Sequence, residues 1–92
     1  MTIWKFPLEL TDSQFIENIP TDIEPLHLAI QGNQICLWVK VPSIRSSITR
    51  VEIRCFGTGV DISDNLEHLG TVVLPDMTVW HYFWDPKHVK SV

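Results

Sequence analysis

The feature that most constrains the fold is a pair of β-favouring runs between Leu26 and Val41, LHLAIQGNQICLWVKV. The runs flank Gly32-Asn33, and a two-residue Gly-Asn loop supplies the positive φ that a tight hairpin turn requires. We therefore predict a β-hairpin with this loop at its tip. Its predicted cross-strand pairs are Gln31 with Gln34, Ile30 with Ile35, Ala29 with Cys36, Leu28 with Leu37, and His27 with Trp38.

Alternation along the hairpin sorts its side chains onto two faces, because successive residues of a strand point to opposite sides. The wholly apolar face, predicted to be core, consists of Leu26, Leu28, Ile30, Ile35, Leu37 and Val39. The mixed face consists of His27, Ala29, Gln31, Gln34, Cys36, Trp38 and Lys40.

A third strand is predicted from Thr49 to Phe56, TRVEIRCF, where apolar and polar residues alternate. Its inward residues are Val51, Ile53 and Cys55, and its outward residues are Arg50, Glu52, Arg54 and Phe56.

Near the C-terminus, GTVVL at 70–74 and MTVWHYFW at 77–84 flank Pro75-Asp76, a turn signal, and predict a second hairpin. Its last strand is apolar or aromatic on both faces, which indicates cover on two sides.

Two more strands are predicted at the N-terminus, over residues 3–10 and 13–19. Pro7 cannot donate a ladder hydrogen bond, which places the first of them at a sheet edge or puts its proline at a bulge. Thr11 and Gln14 have capping-box spacing for a helix, but the short neighbouring elements favour a strand for the second segment.

The sequence thus predicts an all-β fold: a small antiparallel β-sandwich or partly open barrel of six or seven strands. We expect one domain over residues 1–92 and at most one short helical turn, around Asp64 to His68. With 45% hydrophobic and 20% charged residues, the chain has the composition of a folded protein and not of a disordered one.

The formal net charge of −4 argues against duplex nucleic acid and anionic membrane as partners, since both attract clustered Lys and Arg. Arg45, Arg50 and Arg54 come closest to a basic group. The N-terminus lacks the apolar core of a signal peptide and no apolar run reaches the length of a membrane span. We expect a cytoplasmic protein.

No motif in the sequence predicts catalysis, a cofactor or a metal site. The histidines His27, His68, His81 and His88 have no diagnostic ligand spacing, and Gly57-Thr58-Gly59 completes no phosphate-loop pattern, which favours a turn. Cys36 and Cys55 lie within apolar runs and are expected to be buried free thiols, with a disulfide between neighbouring strands as the alternative.

The best functional candidate is an outer face rich in aromatic and arginine side chains, because interfaces are enriched in both. Four tryptophans are more than one small core is expected to hide. The alternative is a second minor core covered by loops or termini. The candidate residues are His27, Trp38, Arg50, Arg54, Phe56, Trp80, Tyr82 and Trp84.

Ordered landmarks along the chain resemble a family of short proteins encoded in bacteriophage and prophage genomes and classed as a domain of unknown function. The landmarks are IWKFPLELTD, ICLWVKV, IRCFGTG, LGTVVLP and VWHYFW, with GTG and VWH the most specific. The resemblance implies a phage origin and brings no catalytic residues with it.

We therefore expect a phage accessory protein in the host cytoplasm that binds a host protein, for example to antagonise a defence system. It is also expected to self-associate as a homodimer or higher oligomer. Two alternatives are a sponge that sequesters a small signalling nucleotide between subunits, and a structural or assembly component of the virion.

Overall fold

A computed structural model describes residues 1–44 and 47–88. Within these residues the chain forms strands and a terminal 3₁₀ turn, and no α-helix. The strands are β1 (Thr2–Leu8), β2 (Ser13–Pro20), β3 (Glu24–Gln31), β4 (Gln34–Val41), β5 (Ile48–Gly57), β6 (Glu67–Val73) and β7 (Val79–Trp84), and the 3₁₀ turn is Pro86–His88. The predicted all-β class is confirmed. No helical turn forms around Asp64 to His68, where β6 already begins at Glu67, and the described residues stay within the expected limit of one short helical turn.

The strands form two antiparallel sheets that face each other. The three-stranded sheet has the order β1-β4-β3 and the four-stranded sheet the order β2-β5-β7-β6. The sheets meet where β3 packs against β6 and do not close into a barrel. The thinnest dimension of the chain is 17 Å, which suits two layers packed about 10 Å apart.

The β3–β4 hairpin has the predicted register, with Gln31 opposite Gln34 and His27 opposite Trp38. Gly32 has a φ of 61°, so the turn uses the positive φ that glycine permits. One face assignment is wrong: Leu26 is 47% exposed. The pairing shifts between Pro25 and His27, and this bulge turns Leu26 away from the core.

Both predicted N-terminal strands form, although the first ends at Leu8 and not at residue 10. β1 pairs only with β4 within the described residues, so Pro7 lies on an edge strand, where its missing N–H is tolerated. Residues 13–20 form a strand and not a helix. A register shift between Ile16 and Ile19, with Asn18 at a φ of 54°, lets both isoleucines reach the core.

A single apolar core lies between the two sheets. Its side chains come from the inner faces of both, and the largest fully buried ones are Trp84, Tyr82, Leu8, Ile19, Leu37 and Ile53. Both cysteines are free and buried, as predicted. No helix in the described part of the chain is long and apolar enough to span a membrane.

Candidate binding face

The residues predicted to form one outer face lie in three different places. His27 and Trp38 lie on the outer side of the three-stranded sheet, and Arg50, Arg54 and Phe56 on the outer side of the four-stranded sheet. Because the two sheets share one core, these two groups point in opposite directions. The remaining residues, Trp80, Tyr82 and Trp84, lie on the core side of β7.

The placement of Tyr82 and Trp84 on the surface is wrong, since both are 0% exposed. β7 pairs with β5 so that Tyr82 lies opposite Cys55 and Trp84 opposite Ile53, on the inner face. Their polar atoms are satisfied within the chain: the Tyr82 hydroxyl donates to the Glu9 carbonyl at 2.9 Å, and Trp84 Nε1 donates to Glu67 Oε1 at 2.7 Å. These rings hold the two sheets together.

Trp80 occupies an intermediate position at the end of the same row. It is half-buried and packs against the core, and its indole Nε1 donates to Thr78 Oγ1 at 2.9 Å. This hydrogen bond fixes the orientation of the ring.

On the outer side of the three-stranded sheet, Trp38 is half-buried on the central strand between His27 and Lys5. The ring centroids of His27 and Trp38 are 6.0 Å apart. Lys5 Nζ donates to Gln31 Oε1 at 3.0 Å, so charged and polar groups surround the indole. Trp38 and His27 thus form a separate pair of rings on this side and are not part of the arginine-bearing surface.

The outer side of the four-stranded sheet carries two groups of rings and guanidinium groups, which together we call the aromatic–arginine face. The Glu52 side chain lies between Arg50 and Arg54 on the same side of β5. Pairing across the strands brings its members together, with Arg54 opposite Phe83 and Phe56 opposite His81. Its members are Phe15, Arg50, Arg54, Phe56, His68, His81 and Phe83.

Each described arginine of this face lies over a phenylalanine ring. The guanidinium carbon of Arg50 is 3.9 Å from the centroid of Phe15, and that of Arg54 is 5.2 Å from the centroid of Phe56. Arg50 also reaches the Glu17 carboxylate at 3.6 Å, an exposed pair of little energetic weight. Stacking on the rings limits the motion of the guanidinium groups and leaves their N–H edges available. Arg45 lies outside the described residues.

The aromatic part of the face is continuous across β5, β7 and β6. The Phe56 and Phe83 rings meet edge to face at 5.8 Å, and the Phe83 ring lies 5.1 Å from that of His68. All three side chains are half-buried or exposed. They form an apolar patch beside the two arginines.

A chain of hydrogen bonds orders the far side of this patch. His81 Nε2 lies 2.9 Å from Thr58 Oγ1 and His81 Nδ1 lies 2.8 Å from Thr71 Oγ1. Thr71 Oγ1 is also 3.0 Å from His68 Nε2. The Gly57–Gly59 turn is therefore fastened to β7 through His81.

Sequence reasoning missed Phe15, His68, His81 and Phe83 as members of the face. The sequence of β7 does not show which of its two sides faces the core, because both sides carry aromatic rings. The signal that could have found it is the pairing with β5: once Cys55 is core, its partner Tyr82 is core, and His81 and Phe83 must point outward.

The described residues contain no group of three or more His, Cys, Asp or Glu side chains that could hold a metal ion. Burial raises the pKa of the Cys55 thiol, and the nearby Asp12 carboxylate adds to this, while a hydrogen bond with Tyr82 opposes it. Cys55 is thus kept in its protonated form, which is a poor nucleophile.

The fold and this surface define a class of protein: an antiparallel β-sandwich of two open sheets with an aromatic and arginine-bearing outer face. Residues 1–91 match the model of a family described as "Domain of unknown function (DUF7352)", and the chain belongs to that family. No curated protein and no solved structure matches the chain.

Proposed function

We propose that this protein is a binding domain that acts through its aromatic–arginine face. In this proposal it is a phage accessory protein that works in the host cytoplasm and binds a host protein, such as a component of a defence system. The phage setting rests on the resemblance of the landmark segments described above, and the binding role rests on the surface itself.

The observation that carries the proposal is the composition and order of this face. Phenylalanine, histidine and arginine side chains lie together on the solvent side of a sheet, in a chain whose net charge is −4. Aromatic residues and arginine are the side chains most enriched at the energetic centres of protein interfaces. Their ring contacts hold them in place before binding, which lowers the entropy lost when a partner docks.

The charges of the face indicate the chemistry of the partner. Arg54 has no ion-pair partner among the described residues, and Arg50 has only its exposed pair with Glu17. The Glu52 carboxylate between them accepts a hydrogen bond from the Ser13 hydroxyl. A complementary surface would offer carboxylates to the guanidinium edges and an apolar side chain to the Phe56 and Phe83 rings. An acidic protein surface with an exposed apolar centre fits this description.

Affinity capture from a bacterial host lysate tests the proposal with charge-matched variants of the two faces. Arg50→Gln/Arg54→Gln removes two positive charges from the aromatic–arginine face, and Lys5→Gln/Lys40→Gln removes two from the opposite sheet. We expect the arginine variant to bind the partner at least about tenfold more weakly than the unmodified protein, and the lysine variant to bind it equally well. Equal capture by both variants would contradict the proposal.

Light scattering on the same variants tests whether the face also joins two copies of this chain. If self-association uses the aromatic–arginine face, the arginine variant is expected to be smaller in solution than the lysine variant. If both variants have the same oligomeric state as the unmodified protein, the face is available to a different partner.

A further inference from the structure

At one end of the aromatic–arginine face, a notch of about 460 Å³ opens beside β5. It lies where the strand pairing with β2 ends: after Ser13 and Arg54 a last bond runs from the Cys55 N–H to the Asp12 carbonyl at 3.1 Å, and β5 then continues beside β7 to Gly57. The notch runs from Phe56 on the outer side to Trp80 on the inner side. Its lining residues are Asp12, Arg54, Cys55, Phe56, Gly57, Val60 and Trp80.

The apolar part of the lining offers rings to a flat ligand. Phe56 and Trp80 are half-buried and both contribute to the wall, with exposed Val60 at the mouth. Gly57 adds no side chain, and among the described residues, its chain neighbours apart, a Cβ placed there would meet Trp80 alone within 4 Å, at 3.7 Å. The space beside the Trp80 ring is therefore open.

The polar part of the lining offers one cation and one carboxylate. Arg54 Nε donates to the Asp12 carbonyl at 3.3 Å, while its terminal nitrogens make no hydrogen bond or ion pair with another described residue. Asp12 lines the notch together with Cys55, so its carboxylate borders the same space as the Arg54 guanidinium. The guanidinium can receive an anion, and the carboxylate can accept a hydrogen bond from a ring N–H.

The wall of the notch is held in place before any ligand arrives. The Thr58–His81 hydrogen bond fastens the Gly57–Gly59 turn to β7, and Gly59 has a φ of 90°. Trp80 is fixed by its bond to Thr78. A pocket with rigid walls loses little free energy to ordering when a ligand binds.

We propose that this notch binds a small planar aromatic anion that carries a ring N–H or amino donor. The ring lies against Trp80 and Phe56, the anionic group meets the Arg54 guanidinium, and the donor meets the Asp12 carboxylate. Both a nucleoside monophosphate and an indole carboxylate have this chemistry. The site lies within one copy of the chain and does not depend on the protein partner proposed above.

Isothermal titration calorimetry and tryptophan fluorescence test the site with four probes: adenosine 5′-monophosphate, indole-3-acetate, uncharged adenosine and inorganic phosphate. We expect at least one of the two aromatic anions to bind with a dissociation constant of 1 mM or tighter, on the order expected for a small open site. Adenosine and phosphate alone are expected to bind at least about tenfold more weakly, because each lacks one half of the contacts. Failure of both aromatic anions to bind would overturn the proposal.

Three variants locate the binding. Gly57→Val fills the notch from a position where a Cβ fits, and it should abolish binding. Arg54→Gln should weaken it by about tenfold, and Arg50→Gln, on the same face but outside the notch, should leave it unchanged. If Gly57→Val bound the aromatic anion as tightly as the unmodified protein does, the proposed location in the notch would be overturned. Because Gly57→Val leaves Arg50, Phe83 and His68 in place, loss of ligand with retention of the protein partner separates this site from the proposed function.

The two aromatic anions also separate the possible sources of the ligand. Preference for adenosine monophosphate identifies a nucleotide site, and preference for indole-3-acetate identifies a site for aromatic carboxylates. Either preference supports the proposed chemistry, provided that Gly57→Val removes it.

Discussion

Gly70 of β6 lies directly against Leu28 of β3 at the point where the two sheets meet. A Cβ added to Gly70 would be 2.6 Å from the Cβ of Leu28, a distance that non-bonded carbons do not reach. The backbone of Gly70 does not need a positive φ, so the glycine is required by the close approach of the strands and not by a turn. The fit between the sheets thus depends on the absence of one side chain.

Gly70→Ala is therefore expected to push β3 and β6 apart and to lower the free energy of unfolding by about 1–3 kcal/mol, as overpacking does. Urea denaturation followed by tryptophan fluorescence measures the change. Gly57→Ala is the matched control, because its Cβ would make only an ordinary 3.7 Å contact with Trp80. We expect the control to change stability by no more than about 0.5 kcal/mol.

Shortening the partner residue should not restore the fit. Leu28→Ala removes the Leu28 carbons at 3.0 Å and 3.4 Å from the added Cβ but keeps the Cβ at 2.6 Å. The double variant Gly70→Ala/Leu28→Ala is expected to be less stable than either single variant. A double variant as stable as Leu28→Ala alone would show that the strands do not approach this closely.

Tyr82 is expected to contribute to stability and not to partner binding. Tyr82→Phe keeps the ring but removes the hydroxyl that donates to the Glu9 carbonyl at 2.9 Å, while Gln14 Nε2 still donates to the same carbonyl at 2.8 Å. We expect a loss of about 0.5–1.5 kcal/mol in the free energy of unfolding, typical of the loss of one hydrogen bond whose acceptor keeps another donor. The amount of partner captured by a given amount of folded Tyr82→Phe should be the same as for the unmodified protein. If Tyr82→Phe captured less partner while its stability stayed unchanged, Tyr82 would be shown to contribute to partner binding.

The buried Tyr82 hydroxyl also leads us to expect that the stability of the protein changes at high pH. Burial raises the pKa of Tyr82 above its ordinary value of 10.0, and burial raises that of Cys55 above 9.0. Above these ordinary values the unfolded chain loses protons before the folded chain does, so stability is full below about pH 9 and falls as pH rises. Tyr82→Phe should show a shallower fall between about pH 9 and 11 than the unmodified protein. Parallel curves would contradict this.

The sequence predicts the strands well because each was marked by local chemistry. The Gly32-Asn33 turn set the register of β3 and β4, and alternation from Arg50 to Phe56 set the two sides of β5. Leu26 was misplaced because a bulge shifts alternation by one residue, and a bulge depends on the pairing of two strands.

The binding face was predicted only in part, for a related reason. The alternation of apolar and polar residues predicts that Trp38 and Arg54 each point away from the core. Only the sheet order shows that they lie on opposite sides of the molecule. β7 has rings on both faces, so its inward side is set by pairing with β5. Arg50, Arg54 and Phe56 keep their predicted outward positions, and Tyr82 and Trp84 do not.

Met77 holds a strained backbone conformation in the turn between β6 and β7. Its φ is 71°, its N–H donates to the Leu74 carbonyl at 2.9 Å, and its side chain is 79% exposed, so the left-handed backbone is not offset by side-chain packing. Met77→Gly should raise the free energy of unfolding by about 0.5–1 kcal/mol, since relief of strain exceeds the entropic cost of glycine. Gly59→Ala provides the opposite case: with a φ of 90° and open space around it, it should destabilise. Thermal unfolding measures both shifts, and a lower midpoint for Met77→Gly would contradict the first.

Asp76 in the same turn predicts a change in stability at low pH. The Thr78 hydroxyl and N–H both donate to Asp76 Oδ1, at 2.6 Å and 3.0 Å, and these bonds hold the pKa of the carboxyl below its ordinary value of 3.8. A carboxyl with a lowered pKa stabilises the fold above its unfolded pKa, and this contribution is lost as pH falls through its folded pKa. Asp76→Asn cannot ionise, so the unmodified protein should be the more stable at pH 7, and the difference should shrink below about pH 4. Urea titrations of both proteins from pH 7 to pH 2 measure it, with Asp64→Asn in the long loop as the charge-matched control. A difference that stays constant over this range would show that the Thr78 bonds do not depend on the charge of Asp76.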